Sequence, residues 1–312
     1  MDGAAMTRNA RGAAIVVAML LAALAATIAA ALLWQQQRWA SEYERRRDQV
    51  QAQVLAMAGV QWARQILFDT TRGSNIIHLG QPWAFRLPPT PIENGSISGY
   101  IVDAQSRINV DNLAASGDVP GPTRAALQRL FGALGIPTSL LNAVTDWLDA
   151  DDQVTPGGGA EDAYYQAQSV PGLAANAPVR RVAELLAVRG VDAATLSRLR
   201  TFIEAVDAPA QINVNTAPAE VLMATIDGLD AEGAAAIIAA RAQAPFSSLS
   251  DFRTRLQRPQ LKVDETQLSV RSDWFLVTID ALQGDTRARA RALIRRSNTT
   301  TDWPIVIWQT VE

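Results

Sequence analysis

The stretch AAIVVAMLLAALAATIAAALL, residues 13–33, is a run of 21 residues in which only Thr27 is polar, and it follows directly on Arg11-Gly12. At about 1.5 Å per residue, a helix of this length crosses a hydrocarbon core of ~30 Å. No charge interrupts the sequence between Arg11 and Arg38. A positively charged start before an apolar run also describes a cleavable secretory signal, but a signal core spans about 7–15 residues. This run is longer and continues into helix-compatible sequence at Trp34-Gln35-Gln36-Gln37-Arg38, so it reads as a membrane helix. Arginines flank it on both sides, Arg8 and Arg11 before and Arg38, Arg45, Arg46 and Arg47 after. Long domains translocate largely regardless of such charges, which makes a cytoplasmic N-terminus the expected orientation.

Helical character continues past the span. Val50, Val54, Met57, Val60 or Gln61, and Ile66 with Leu67 recur every three to four residues, predicting one amphipathic helix to about residue 69, where Thr70-Thr71-Arg72-Gly73-Ser74-Asn75 supplies stop signals. Beyond it, a Pro-rich segment over residues 81–91 leads to the turn dipeptide Asn94-Gly95 and an alternating strand over 96–103. Strand character returns near the C-terminus at 274–279, at 286–296 after the turn Gln283-Gly284-Asp285, and at 304–308. In the second of these, Arg287, Arg289 and Arg291 alternate with alanines, the pattern of one solvated face of an antiparallel strand rather than a nucleic-acid stripe.

Between the two β regions, residues 107–271 are Ala-rich and broken by Gly, Pro and Asp into short helices, the pattern of an inserted helical domain. It contains an echo: Ile108-Asn109-Val110-Asp111-Asn112 recurs 104 residues later as Ile212-Asn213-Val214-Asn215-Thr216. Two related helical units are the expectation.

Composition narrows the chemistry. The 312 residues carry a net charge of −3, which gives no global attraction to nucleic acid. Cysteine is absent, removing thiol catalysis, thiolate metal sites and disulfides. The only histidine, His78, lies among Ile76, Ile77 and Leu79 and reads as structural, so histidine-centred hydrolysis and multi-histidine zinc sites are set aside. An anchored hydrolase built on carboxylates and a metal lacks an activated nucleophile.

Hard ligands concentrate in one place. Asp149, Asp151, Asp152, Glu161 and Asp162 put five carboxylates within 14 residues around the turn Pro156-Gly157-Gly158-Gly159. Folded back on itself, such a loop calls for a cation, and calcium takes six to eight oxygens without sulfur or imidazole. The loop is not an EF-hand, having Val154 where the invariant Gly falls and Ala160 where the bidentate Glu falls. Spacing alone leaves a calcium site and a solvated acidic loop level.

A second candidate runs from Gln211 through Thr216, Pro218 and Glu220 to Asp227-Gly228-Leu229-Asp230, and resembles the helix-hairpin-helix DNA-binding motif. The DNA-binding form offers bare backbone N–H groups of a Gly-hydrophobic-Gly hairpin to a phosphate. Here Asp230 replaces the second Gly and Asp227 precedes the first, so the architecture is expected without the DNA function; a membrane-anchored DNA-binding protein is the alternative reading.

Taken in order, Arg11-Gly12 before the apolar helix, Gly80-Gln81-Pro82-Trp83, Asp103-Ala104-Gln105-Ser106-Arg107-Ile108-Asn109, the Trp147–Asp152 segment with Gly159-Ala160-Glu161-Asp162-Ala163-Tyr164-Tyr165, and Ile212-Asn213-Val214-Asn215-Thr216-Ala217-Pro218 resemble the general secretion pathway protein K family, minor pseudopilins of bacterial type II secretion. The resemblance covers essentially the whole chain. It implies an α+β, type IV pilin-like fold: a long N-terminal transmembrane helix on a small antiparallel sheet, with a large inserted α-helical domain containing helix-hairpin-helix-like units. The expected parts are a leader over 1–12, the span over 13–33, sheet regions over 75–106 and 272–312, and the insertion over 107–271. It further implies cleavage by a prepilin peptidase between Gly12 and Ala13, a place in the inner membrane, and a cap on the pseudopilus tip with I-type and J-type minor pseudopilins. Most pilins begin the mature chain with Phe and carry Glu at its fifth position; here these are Ala13 and Val17, the latter typical of the family. The resemblance also tips the acidic loop toward a structural calcium site.

Overall fold

The computed structural model describes residues 6–116, 121–206, 208–256, 258, 260–297 and 301–312. Of the expected leader, residues 1–5 lie outside the described residues, and Gly12 and Ala13 fall inside one unbroken helix, α1, Met6–Gly73. The sequence explains its 68-residue length, since neither Gly nor Pro occurs between Gly12 and Gly59. Among the described residues α1 holds the one stretch long and apolar enough to cross a membrane, and the rest of the chain buries none of it. Thr27 satisfies its hydroxyl on the Leu24 carbonyl at 2.8 Å, so the span carries no free polar side chain.

The outer half of α1 packs through small residues. Ala52, Ala56, Val60, Ala63 and Leu67 form the buried stripe; of the apolar recurrence that predicts the helix, Val60 and Leu67 belong to it, while Val50, Val54 and Met57 face outward. Alanines bring the helix axis close to the sheet. At Gly59 an added Cβ would lie 2.7 Å from Ile279, nearer than any side chain tolerates.

That sheet is antiparallel throughout. Strands β1, Leu87–Ile92, and β2, Gly95–Asp103, meet at the Asn94 turn, where Asn94 has φ 57°. Its three prolines fit β1 to a sheet edge, where missing N–H donors cost no ladder bond. After β2 the chain leaves through β3, Ile108–Asn109, helices α2, Pro122–Ala133, α3, Leu140–Leu148, α4, Asp162–Gln166, and α5, Ala193–Leu199, then β4, Ile203–Glu204. It continues through β5, Ile212–Asn213, α6, Ala219–Thr225, α7, Ala231–Gln243, α8, Leu249–Leu256, and β6, Leu268–Ser269. It re-enters the sheet as β7, Trp274–Gln283, followed by β8, Thr286–Arg295, and β9, Ile305–Val311, giving the order β1-β2-β7-β8-β9.

β7 is buried along most of its length because it is covered on both sides: α1 packs on Phe275, Val277 and Ile279, and Ala104 and Val206 cover Trp274 and Leu276. Arg287, Arg289 and Arg291 of β8 point to solvent, with Arg289 paired to Asp280 at 2.6 Å.

The sequence echo has a structural counterpart. Ile108-Asn109 pairs in parallel with Ile203-Glu204, and Ile212-Asn213 pairs in parallel with Leu268-Ser269, so each copy opens a helical unit that a later two-residue bridge closes. Asn109 and Asn213 each turn their side-chain oxygen onto the backbone N–H two residues ahead, at Asp111 and Asn215.

One buried carboxylate joins the helical part to the sheet. Asp103, the last residue of β2, is 2 % exposed and accepts hydrogen bonds from Gln105 N at 2.9 Å, Asn213 Nδ2 at 3.1 Å, Thr216 Oγ1 at 2.6 Å and Ser272 Oγ at 2.7 Å. Burial raises its pKa against the opposing pull of those donors. The Gly80-Gln81-Pro82-Trp83 motif is a staple on the other side of the same junction: Gln81 accepts from His78 N and Trp83 Nε1 and donates to the Ile76 carbonyl. Trp83 then packs edge-on against Phe275 at 5.3 Å. His78 accepts from Gly80 N at 3.2 Å and burial lowers its pKa, so it serves the loop structurally.

Candidate metal centre

The acidic site begins at the end of α3. Asp146, in the last turn of that helix, is fully buried and accepts from Thr155 N at 3.0 Å, folding the following loop back. Asn142 ties the same loop to α3 through the Pro156 carbonyl at 3.0 Å. Gly157 and Gly158, at φ 88° and 128°, reverse the chain in a region closed to most L-residues. At Gly159 an added Cβ would collide with the Asp146 carboxylate and the Thr155 backbone, so only glycine lets Ala160 and Glu161 approach the helix end.

This approach brings Asp149, Asp151 and Glu161 together, with one carboxylate oxygen from each lying within 4.8 Å of the others. Glu161 is 4 % exposed, and neither of its oxygens has a hydrogen-bond partner among the described residues. Burial first, and then the charges of Asp146, Asp149, Asp151 and Asp152, push its pKa up to about 7. The other two sequence candidates hold the loop that returns over the site. Asp152 accepts from Asn176 Nδ2 at 3.3 Å, and Asp162 accepts from Ala174 N at 2.8 Å. Asn176, at φ 44°, has a buried side-chain oxygen on that same loop without a hydrogen bond among the described residues.

Asp146 is absent from the sequence-derived set. Its signal was its position three residues before Asp149, close enough in sequence to join the acidic run where α3 ends. An aromatic wall completes the centre: Trp147 meets Tyr165 edge-on at 4.9 Å, Tyr165 meets Tyr164 at 5.2 Å, and the Arg189 guanidinium lies 4.6 Å from the Tyr164 ring. Arg189 also donates to the Gly159 carbonyl at 3.1 Å, fixing the turn from the opposite side.

A buried, unpartnered carboxylate facing two others fits a hard divalent cation bound by oxygen, and the donor set contains neither sulfur nor imidazole. The arrangement suits calcium better than magnesium, because loop carboxylates of mixed origin offer the flexible geometry calcium accepts.

The helix-hairpin-helix region is organised differently from a phosphate site. Asp230 caps α7 by accepting from Gly233 N at 2.7 Å and from Arg258 Nη1 at 2.8 Å, and the cap bond from Gly233 is the main cause of its lowered pKa. The N–H that would meet a phosphate is thus taken by a carboxylate of this chain.

A helix of this length on an antiparallel sheet, with a helical insertion between the second and third strands of the sheet, defines a pilin-like subunit with a membrane anchor. The comparisons make this specific. Family models described as type II secretion system, protein K, match residues 106–208 and 212–271. The type II secretion system protein K of Klebsiella pneumoniae is 32% identical over 270 residues, covering 81% of this chain and 82% of that one. The protein of that description from Pseudomonas aeruginosa is 30% identical over 248 residues, covering 76% and 74%. The crystal structure of the GspK-GspI-GspJ complex from enterotoxigenic Escherichia coli contains a chain matched with a TM-score of 0.73 at 26% identity, over 87% of this chain and 99% of that one. The chain belongs to the type II secretion system protein K family and is a minor pseudopilin. The boundary between the two family models falls between the two echoed helical units.

Proposed function

We propose that this minor pseudopilin caps the tip of the periplasmic pseudopilus together with an I-type and a J-type subunit, and so supports export across the outer membrane. The observation that carries the reading is where the helical insertion sits. The Gly284 turn of the sheet lies against Asp48 of α1, toward the span, while the insertion joins the sheet at Asp103 and meets the chain just beyond α1, where Ile77 N donates to the Val270 carbonyl at 3.0 Å. The bulk therefore crowns the end of α1 farthest from the membrane, where a further subunit would have to stack. Val17 supports the same place: an unpaired carboxylate inside a membrane costs about 2.5–3.5 kcal/mol, and a subunit inserted first has no earlier neighbour to satisfy one.

The partners' surface is the outward stripe of α1. Trp39, Tyr43, Val50, Val54 and Met57 are 64, 71, 60, 53 and 40 % exposed and follow helical spacing, the pattern of a helix awaiting other helices. Prepilin peptidase cleaves between Gly12 and Ala13, leaving α1 anchored in the inner membrane with its N-terminus cytoplasmic. Calcium binds at Asp149, Asp151 and Glu161, where it neutralises the cluster and fixes the returning loop held by Asp152 and Asp162. Mixing this protein with its I-type and J-type partners tests the assembly: one co-eluting species on size exclusion is expected, and independent elution at micromolar concentration contradicts it.

A further inference from the structure

The face of α1 that carries the sheet does not end where the sheet ends. Trp34, Arg38, Ser41, Arg45, Ala52 and Ala56 follow one another at intervals of four, three, four, seven and four residues, a single stripe of the helix. Above Asp48 this stripe is covered by the sheet; below it, an open groove is formed by α1 alone, lined by Trp34, Arg38, Ser41 and Arg45 and flanked by Trp39 and by Glu42, whose carboxylate is paired to Arg46.

Depth selects one residue of this groove. Arg38 is five residues beyond Leu33, about 7.5 Å along the axis, and the polar layer on each side of a bilayer is roughly 5–8 Å deep. Arg45 stands about 18 Å beyond the span, clear of that layer. Arg38 makes no ion pair among the described residues, whereas Arg46 is held by Glu42 at 2.6 Å. The Arg38 guanidinium lies 5.0 Å from the Trp34 ring centroid, backed by an aromatic face that leaves its N–H edge available. Trp34 and Trp39 are 63 and 64 % exposed, and indole rings belong at this level of a membrane.

We propose that Trp34 and Arg38 form a binding site for the headgroup phosphate of an anionic phospholipid. The inference rests on residence of the apolar segment in a bilayer. An anionic lipid is favoured over a zwitterionic one because the latter brings its own ammonium to the phosphate that Arg38 engages. A lipid held here occupies the face of α1 below the sheet and reaches Trp39 at the edge of the partner stripe, while Val50, Val54 and Met57 stay free.

The test reconstitutes the full chain in phosphatidylcholine vesicles and measures, by electron paramagnetic resonance, the motionally restricted fraction of spin-labelled phosphatidylglycerol against spin-labelled phosphatidylcholine. The expected preference for phosphatidylglycerol is about fivefold, what one arginine contributes at an anionic bilayer surface. It should fall with added salt, vanish in Arg38→Gln and persist in Arg46→Gln. Retention of the full preference in Arg38→Gln overturns the site. So does equal restriction of both lipids around a protein that resists alkaline extraction. Release by alkaline extraction overturns the membrane reading itself, and the site with it.

Discussion

Replacing Glu161 by Gln should change stability with a sign set by calcium. Without cation, the buried Glu161 carboxyl has a pKa of about 7 in the fold, against 4.5 for an unstrained glutamate. Folding then takes up a proton, so stability is greatest below about pH 4.5 and declines as pH rises through about 7. At 1.36 kcal/mol per pKa unit the difference amounts to about 3 kcal/mol. Gln keeps the shape and removes the charge, but leaves a buried amide without partners, which costs roughly 1–2 kcal/mol. At mildly alkaline pH in chelator, E161Q should therefore be more stable than the parent by about 1–2 kcal/mol, with a flatter pH profile. Calcium at a hundredfold excess over Kd stabilises the parent by about 2.7 kcal/mol and the variant far less, so the order reverses. Urea unfolding of the full chain in detergent, followed by tryptophan fluorescence, measures both arms, and Trp147 sits beside the site as a reporter. Lower stability of E161Q in chelator, or the same order of stability in both arms, would show that the Glu161 charge does not destabilise the cation-free fold.

Gly12→Asp should leave the precursor uncut, and N-terminal mass analysis of the parent should find a start at Ala13; a start near Trp34 contradicts the anchor. Val54→Asp should abolish co-elution with the I-type and J-type partners while shifting unfolding by less than about 0.5 kcal/mol, since Val54 is exposed. Asp103→Ala should lower unfolding stability by about 3–5 kcal/mol, because four donors lose a buried acceptor at once; a loss within 1 kcal/mol in urea melts would show that Asp103 is not the joint.

The long helix and the sheet strands were legible because their periods differ: an unbroken apolar span and three-to-four spacing for α1, alternation around Asn94-Gly95 and Gln283-Gly284-Asp285 for the hairpins. The facing of α1 was not. The recurrence mixes two faces, Val50, Val54 and Met57 being exposed and Val60 and Leu67 buried, and the rest of the buried stripe is alanine, whose value lies in close approach to β7 rather than in hydrophobic bulk. The acidic loop announces itself by charge, but its division of labour does not. Asp152 and Asp162 are engaged by the returning loop, and Asp146 is masked in sequence by its place in an apolar helix. Asp103 gave no local signal as a joint, because the donors it gathers lie as far as 169 residues along the chain.

The proposed place of this subunit is one end of the filament. Gold-labelled antibody against the helical insertion, applied to sheared pseudopili and viewed by electron microscopy, tests it most directly. Label at a single end of each filament is expected; label distributed along the shaft would rule out a tip position.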